Sequence, residues 1–154
     1  MASEIAARLK ALGIELPAPG KPAANYVTTV TTGKLLFVSG QVPRAADGVK
    51  FVGKVGREFS IAEGQQAARL CAVNILGAMQ DAVGDLEKIA RVVKVVGFVN
   101  AVPDFTDVHI VVNGASDLIT DVLGERGKHA RSAIGMGTLP LGVAVEVEAI
   151  AEIA

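Results

Sequence analysis

The segment from Leu86 to Asn100 constrains the fold more than any other part of the chain. Ile89, Val92, Val93, Val95, Val96, Phe98 and Val99 form an apolar run that reads as a strand covered on both faces. Helical patterns flank it. Upstream, Ser60-Ile61-Ala62-Glu63 is a capping box opening a helix from about 61 to 83. Ile61, Ala68, Ala72, Ile75, Met79 and Val83 supply its buried stripe, and Gly84 stops it. Downstream, Asp104 is expected to cap a second helix with Val108, Val111, Val112, Ala115, Ile119 and Val122 facing inward.

The rest of the chain supplies short elements. Residues 3 to 12 predict a helix capped by Ser3 and ended by Gly13, with Ile5, Leu9 and Leu12 on one face. Whether it packs on the body or hangs as an arm is left open by the sequence. Pro17, Pro19 and Pro22 then mark an extended connector. Tyr26 to Gln41 predicts a hairpin turning at Thr32-Gly33-Lys34, and Arg44 to Arg57 a loop or short edge strand. Ala130 to Thr138 and Val143 to about Ala154 read as two closing strands, a hairpin candidate through Thr138-Leu139-Pro140-Leu141-Gly142. The order of hairpin, helix, strand, helix, strand, strand predicts an α+β domain: one mixed sheet with both main helices on one face.

Length and composition fit this. The 154 residues suit one domain, and a chain of that size needs no disulfide or metal staple. Half the residues are hydrophobic but only 4% are aromatic, so the core is expected to consist of Val, Ile, Leu and Ala. The formal charge of −1 is not the footprint of a nucleic-acid binder. Cys71, the only cysteine, excludes an intrachain disulfide and reads as a buried thiol on the long helix. Met1-Ala2-Ser3-Glu4-Ile5 shows no leader pattern and no stretch is long and apolar enough for a membrane span, so the cytoplasm is the expected compartment. His109 and His129 belong to no cluster with ligand spacing, and phosphate-loop, dinucleotide and nucleophile-elbow motifs are missing.

What remains is the last pair of strands. Alternation puts Arg131, Ala133, Gly135 and Gly137 on one face, and Ile134 with Met136 on the other, the expected core side. In the final strand Val143, Val145 and Val147 share one face, and Glu146, Glu148 and Glu152 the opposite one. If the strands pair, Arg131 and Glu146 line one cavity. The residues alone favour a surface ion pair worth about 0–1 kcal/mol.

Four segments shift that balance. Ser39-Gly40-Gln41-Val42-Pro43, Ala130-Arg131-Ser132, Leu139-Pro140 and Val145-Glu146-Val147-Glu148-Ala149-Ile150-Ala151 resemble, in order and spacing, the RidA (YjgF-type) family. The resemblance covers roughly residues 25–154, which would make 1–24 an added helix and proline-rich connector. It implies a chorismate-mutase-like homotrimer with clefts between subunits, and cofactor-free hydrolysis of 2-imino acids to 2-oxo acids and ammonia. It also implies that Arg131 binds the substrate carboxylate and that Glu146 positions the attacking water, helped by the carbonyl near Ala133. Gly40 would offer a backbone group, Tyr26 would wall the cleft, and His109 would stand near the ligand. Three departures suggest a divergent subgroup: His129 where proline is usual, a segment from Val111 to Lys128 longer by about one helical turn, and the N-terminal helix. Rival readings are a non-catalytic sensor of small carboxylates, which needs Arg131 but not Glu146, and a ribonuclease, against which the neutral charge and sparse aromatics argue.

Overall fold

The computed structural model describes residues 3–22 and 24–154. Met1 and Ala2 of the N-terminal reading, and Ala23 of the connector, lie outside the described residues.

Helix α1 (Glu4–Ala11) is capped by Ser3, whose hydroxyl accepts the Ala6 N–H at 3.2 Å. It is docked on the body. Ile5 is buried, and Glu87 accepts from the Ser3 hydroxyl at 2.7 Å and the Ile5 N–H at 3.3 Å. Arg126 Nη2 meets the same carboxylate at 2.8 Å. The hydrogen bonds from Ser3 and then Arg126 hold the Glu87 carboxyl down at about 2.

The hairpin forms from β1 (Thr29–Thr32) and β2 (Leu35–Gln41), with Gly33 at φ 58° in the turn, but its first strand starts at Thr29 rather than Tyr26. The stretch after it makes a small ribbon, β3 (Arg44–Ala45) with β4 (Gly48–Val49). Helix α2 (Ile61–Val83) carries the complete capping box and ends at Gly84, φ 80°. A short 3-10 turn precedes β5 (Ile89–Asn100). Helix α3 (Val108–Leu123) starts later than Asp104, which sits in a turn closed by the Phe105 N–H on the Val102 carbonyl at 3.0 Å. Asp107 occupies the cap position without a side-chain bond. The last strands are β6 (Ala130–Met136) and β7 (Val145–Ile153).

The five-stranded sheet runs β1-β2-β7-β5-β6, with β5–β6 parallel and the other pairs antiparallel. The β6–β7 hairpin therefore does not form. Helix α3 is a crossover connection that sends β6 parallel to β5 at the sheet edge. The chain then returns past the end of β5, and β7 fills the place between β2 and β5.

Both main helices and α1 lie on one side of the sheet, over Leu36, Val38, Val92, Val95, Val99, Val145 and Val147, all buried. Contact there is close. A Cβ at Gly97 would strike Val112, and one at Gly114 the Gln65 carbonyl. Cys71 lies in this core, its thiol 3.5 Å from the Val145 carbonyl, and burial pushes its pKa well up. Among the described residues no element covers the opposite face, so β5 is sealed on one side only rather than both. Val30, Leu35, Phe37, Ile134 and Met136 are 37–52% exposed there. Ile134 and Met136 thus point away from the core. The register Arg131↔Val95↔Ala149 puts Arg131 on the helix side instead, beside two buried residues. No helix of the described residues is long and apolar enough to cross a membrane.

Candidate active site

The cross-strand register separates the two charged residues singled out above. Glu146 is level with Phe98, and Phe98 with Ile134, so Glu146 stands on the open face. Arg131 stands on the other. Within one chain the pair shares no cavity, because each residue's parity sends it to the opposite side of the sheet.

Glu146 sits where β2 is bulged. The register of β2 on β7 shifts between Val38 and Gln41, and the carboxylate lies over Gly40. A Cβ at Gly40 would come within 3.0 Å of the Glu146 carboxyl carbon and collide with Oε1, so the glycine serves close approach. Gly40, Tyr26 and Glu146 all line one cavity of about 870 Å³. Residues 15–22 of the connector, Leu70 and Asn74 of α2, and Pro140 with Leu141 complete its walls. Pro17 is seated on α2, where a Cβ at Gly77 would meet its carbonyl. Leu141 adopts φ 61°, costly for a branched residue, and exposes its side chain beside this cavity. Half-buried, Glu146 has its pKa raised first by loss of hydration and then by Glu148.

Arg131 occupies a second locus on the edge strand. Its Nη1 donates to Asn113 Oδ1 at 2.8 Å and Ser116 Oγ at 3.1 Å, and its Nη2 to the His109 carbonyl at 3.1 Å. His109, Asn113 and Ser116 are spaced i, i+4, i+7, so one stripe of α3 faces the guanidinium. His109 takes part through its backbone while its side chain is exposed. Ala133 lies on the same face of β6 as Arg131 and packs partly against the core. Ser116 also meets His129 Nε2 at 2.9 Å, and His129 Nδ1 meets the Gly127 carbonyl at 2.6 Å. Asn113 and Ser116 were not foreseen from the sequence. The signal was available in their helical spacing from His109, a polar stripe beside the helix's apolar one.

Among the described residues no group of three or more His, Cys, Asp or Glu could hold a metal. A sequence model of the family described as "YjgF/chorismate_mutase-like, putative endoribonuclease" matches residues 6–153. The chain belongs to this family. The family match takes in most of α1 as well as the sheet. The Trypanosoma cruzi protein TCP17 is 50% identical over 150 residues, 97% of this chain and 94% of that one. A Shewanella oneidensis MR-1 structure carrying the same endoribonuclease label is 29% identical, has a TM-score of 0.95, and is matched over 98% of this chain and 100% of its own. The E. coli protein TdcF, whose crystal structure holds bound serine, is 25% identical with a TM-score of 0.62, over 89% of this chain and 94% of its own. At similar identity, the Shewanella structure, matched along nearly the whole chain, superposes far better than TdcF.

Proposed function

We propose that the protein is a cofactor-free deaminase that hydrolyses 2-imino acids to 2-oxo acids and ammonia in clefts between the subunits of a homotrimer. The observation that carries this reading is the placement of Arg131 and Glu146 on opposite faces of one sheet. A second copy laid on the open face would bring the Glu146 cavity of one chain towards the Arg131 edge of another. The uncovered apolar residues and the edge position of β6 favour such packing, since large exposed apolar patches and free strand edges mark interaction surfaces.

The chemistry follows from the two groups. Arg131 takes the substrate carboxylate on a planar fork that lysine lacks. Glu146, ionised, accepts a proton from water as the oxygen adds to the imine carbon and passes it to the imine nitrogen, giving a carbinolamine. Glu146 then takes the proton of the new hydroxyl and delivers it to the nitrogen as the C–N bond breaks, so ammonia leaves and the C=O bond forms. A carboxyl raised by burial is the better base, because its pKa approaches working pH. The serine bound to TdcF carries the carboxylate that Arg131 would recognise here. The endoribonuclease label of relatives finds less support, as the chain combines a net charge of −1 with only five Phe and one Tyr.

The test is ammonia release from freshly generated 2-iminopropanoate and 2-iminobutanoate, with and without the protein. Acceleration is expected, and Arg131→Ala is expected to weaken 2-oxo acid binding by tenfold at least, through loss of a charge-assisted pair. Binding without acceleration would favour the sensor reading. Neither binding nor acceleration would end both.

A further inference from the structure

The hydrogen bonds around Arg131 continue past it in one direction. A carbonyl oxygen only accepts, so the 2.6 Å contact of His129 Nδ1 with the Gly127 carbonyl puts a proton on Nδ1. In the neutral ring Nε2 is then an acceptor, and the Ser116 hydroxyl, 2.9 Å away, donates to it. The hydroxyl proton being committed to histidine, the Ser116 oxygen presents its lone pairs to Arg131 Nη1. Asn113 Oδ1 takes the other Nη1 hydrogen, and the His109 carbonyl takes one from Nη2. Of the five guanidinium donors, Nε–H and one Nη2–H have no partner among the described residues.

We propose that Ser116 and His129 are positioning residues, which fix Arg131 through Nη1 and leave its Nε–Nη2 side as the receptor for a ligand carboxylate. This rests on the reading of Arg131 as the carboxylate receptor. His129 suits the task because its neutral form is favoured: burial first, and the Arg131 charge after it, lower its pKa against the opposing pull of the Gly127 carbonyl. Arg131 is the only charged group that perturbs it among the described residues. Of its charged neighbours in the chain, Lys128 pairs with Glu125, Arg126 pairs with Glu87, and Asp117 is exposed.

The experiment has two independent readouts. The first is nitrogen NMR of the His129 ring in the unliganded protein near pH 8. The Nδ1–H tautomer is expected in wild type, and in Ser116→Ala the Nε2 resonance should move because its donor is gone. In Arg131→Ala the His129 pKa should rise, since a cation has been removed. The second readout is calorimetric titration with pyruvate beside turnover of 2-iminopropanoate. Ser116→Ala and His129→Ala are expected to weaken binding roughly two- to tenfold, the worth of one hydrogen bond. They should raise KM while leaving kcat within about twofold, and Ser116→Thr, which keeps the hydroxyl, should restore affinity. An Nε2–H tautomer in wild type, or wild-type affinity in folded Ser116→Ala, would overturn the proposal. So would a fall in kcat at unchanged affinity. Should Arg131→Ala itself bind pyruvate normally, the carboxylate reading has failed, and the coupling of Ser116, His129 and Arg131 stands or falls on the NMR result.

Discussion

The two faces of the sheet are built on different terms. On the helix side Gly64, Gly97 and Gly114 let α2, α3 and β5 press together until no further carbon fits between them. On the other side Phe37, Ile134 and Met136 lie bare. One face is closed by the chain's own helices and tolerates almost no change. The other is apolar and uncovered among the described residues, and in the proposed assembly a second copy completes it. Stability is therefore expected to depend on the first face and assembly and turnover on the second.

The largest effect should come from Ile134→Asp. A carboxylate on the edge strand of the open face should prevent association and abolish turnover, while circular dichroism and the melting curve still report a folded monomer. A trimer by sedimentation equilibrium in this variant would remove the open face from the interface. Next comes Glu146→Gln, at the rim of that face. Turnover should fall by about 10²–10⁴, with much of the affinity for a 2-oxo acid retained. The same variant should melt at a higher temperature at neutral pH. Burial raises the carboxyl's pKa in the folded state, so the protonated form is the favoured one and stability is lost as pH rises through the folded value. Glutamine removes that loss, and equal melting temperatures at pH 8 would argue against it.

On the closed face, Gly114→Ala should cost about 1–3 kcal/mol, because the added methyl meets the Gln65 backbone rather than a movable side chain. Chemical denaturation measures this, and an unchanged midpoint would mean that α2 and α3 can part to admit the methyl. The smallest effect concerns α1. Glu87, with its carboxyl at about 2, contributes docking that is complete above its ordinary value near 4.5 and lost as pH falls towards 2. Limited proteolysis should therefore show the N-terminal helix released in acid before the body unfolds. Protection persisting to pH 2 would locate the anchor elsewhere.

What could be read from the sequence was local. Ser60 and Glu63 announce the start of α2, Gly84 its end, and Gly33 the hairpin turn, because each signal acts over a few residues of backbone. What could not be read was sidedness. Ile134 and Met136 are apolar and read as core from the sequence, but on an edge strand an apolar residue can await another molecule, and alternation is the same in both cases. The supposed β6–β7 hairpin failed for a related reason. Adjacency in sequence suggested pairing, while α3 had already committed β6 to a parallel place beside β5. Of the candidate site, Tyr26, Gly40 and Glu146 do share a cavity, whereas Arg131 faces a stripe of α3 that only the fold brings to it.

The position of β7 has a consequence for how the protein is made. It is the last of the sheet's strands to leave the ribosome, yet it is the central one, pairing with β2 on one side and β5 on the other. Until it emerges, the hairpin and the β5–α3–β6 unit have no backbone ladder between them, and their apolar edges are exposed together. Pairings so distant in sequence form slowly, and exposed edges invite misassembly. Substitutions that slow the docking of β7, such as bulky residues at Ala149 or Ala151, should thus lower soluble yield in cells more than they lower the stability of the protein that survives.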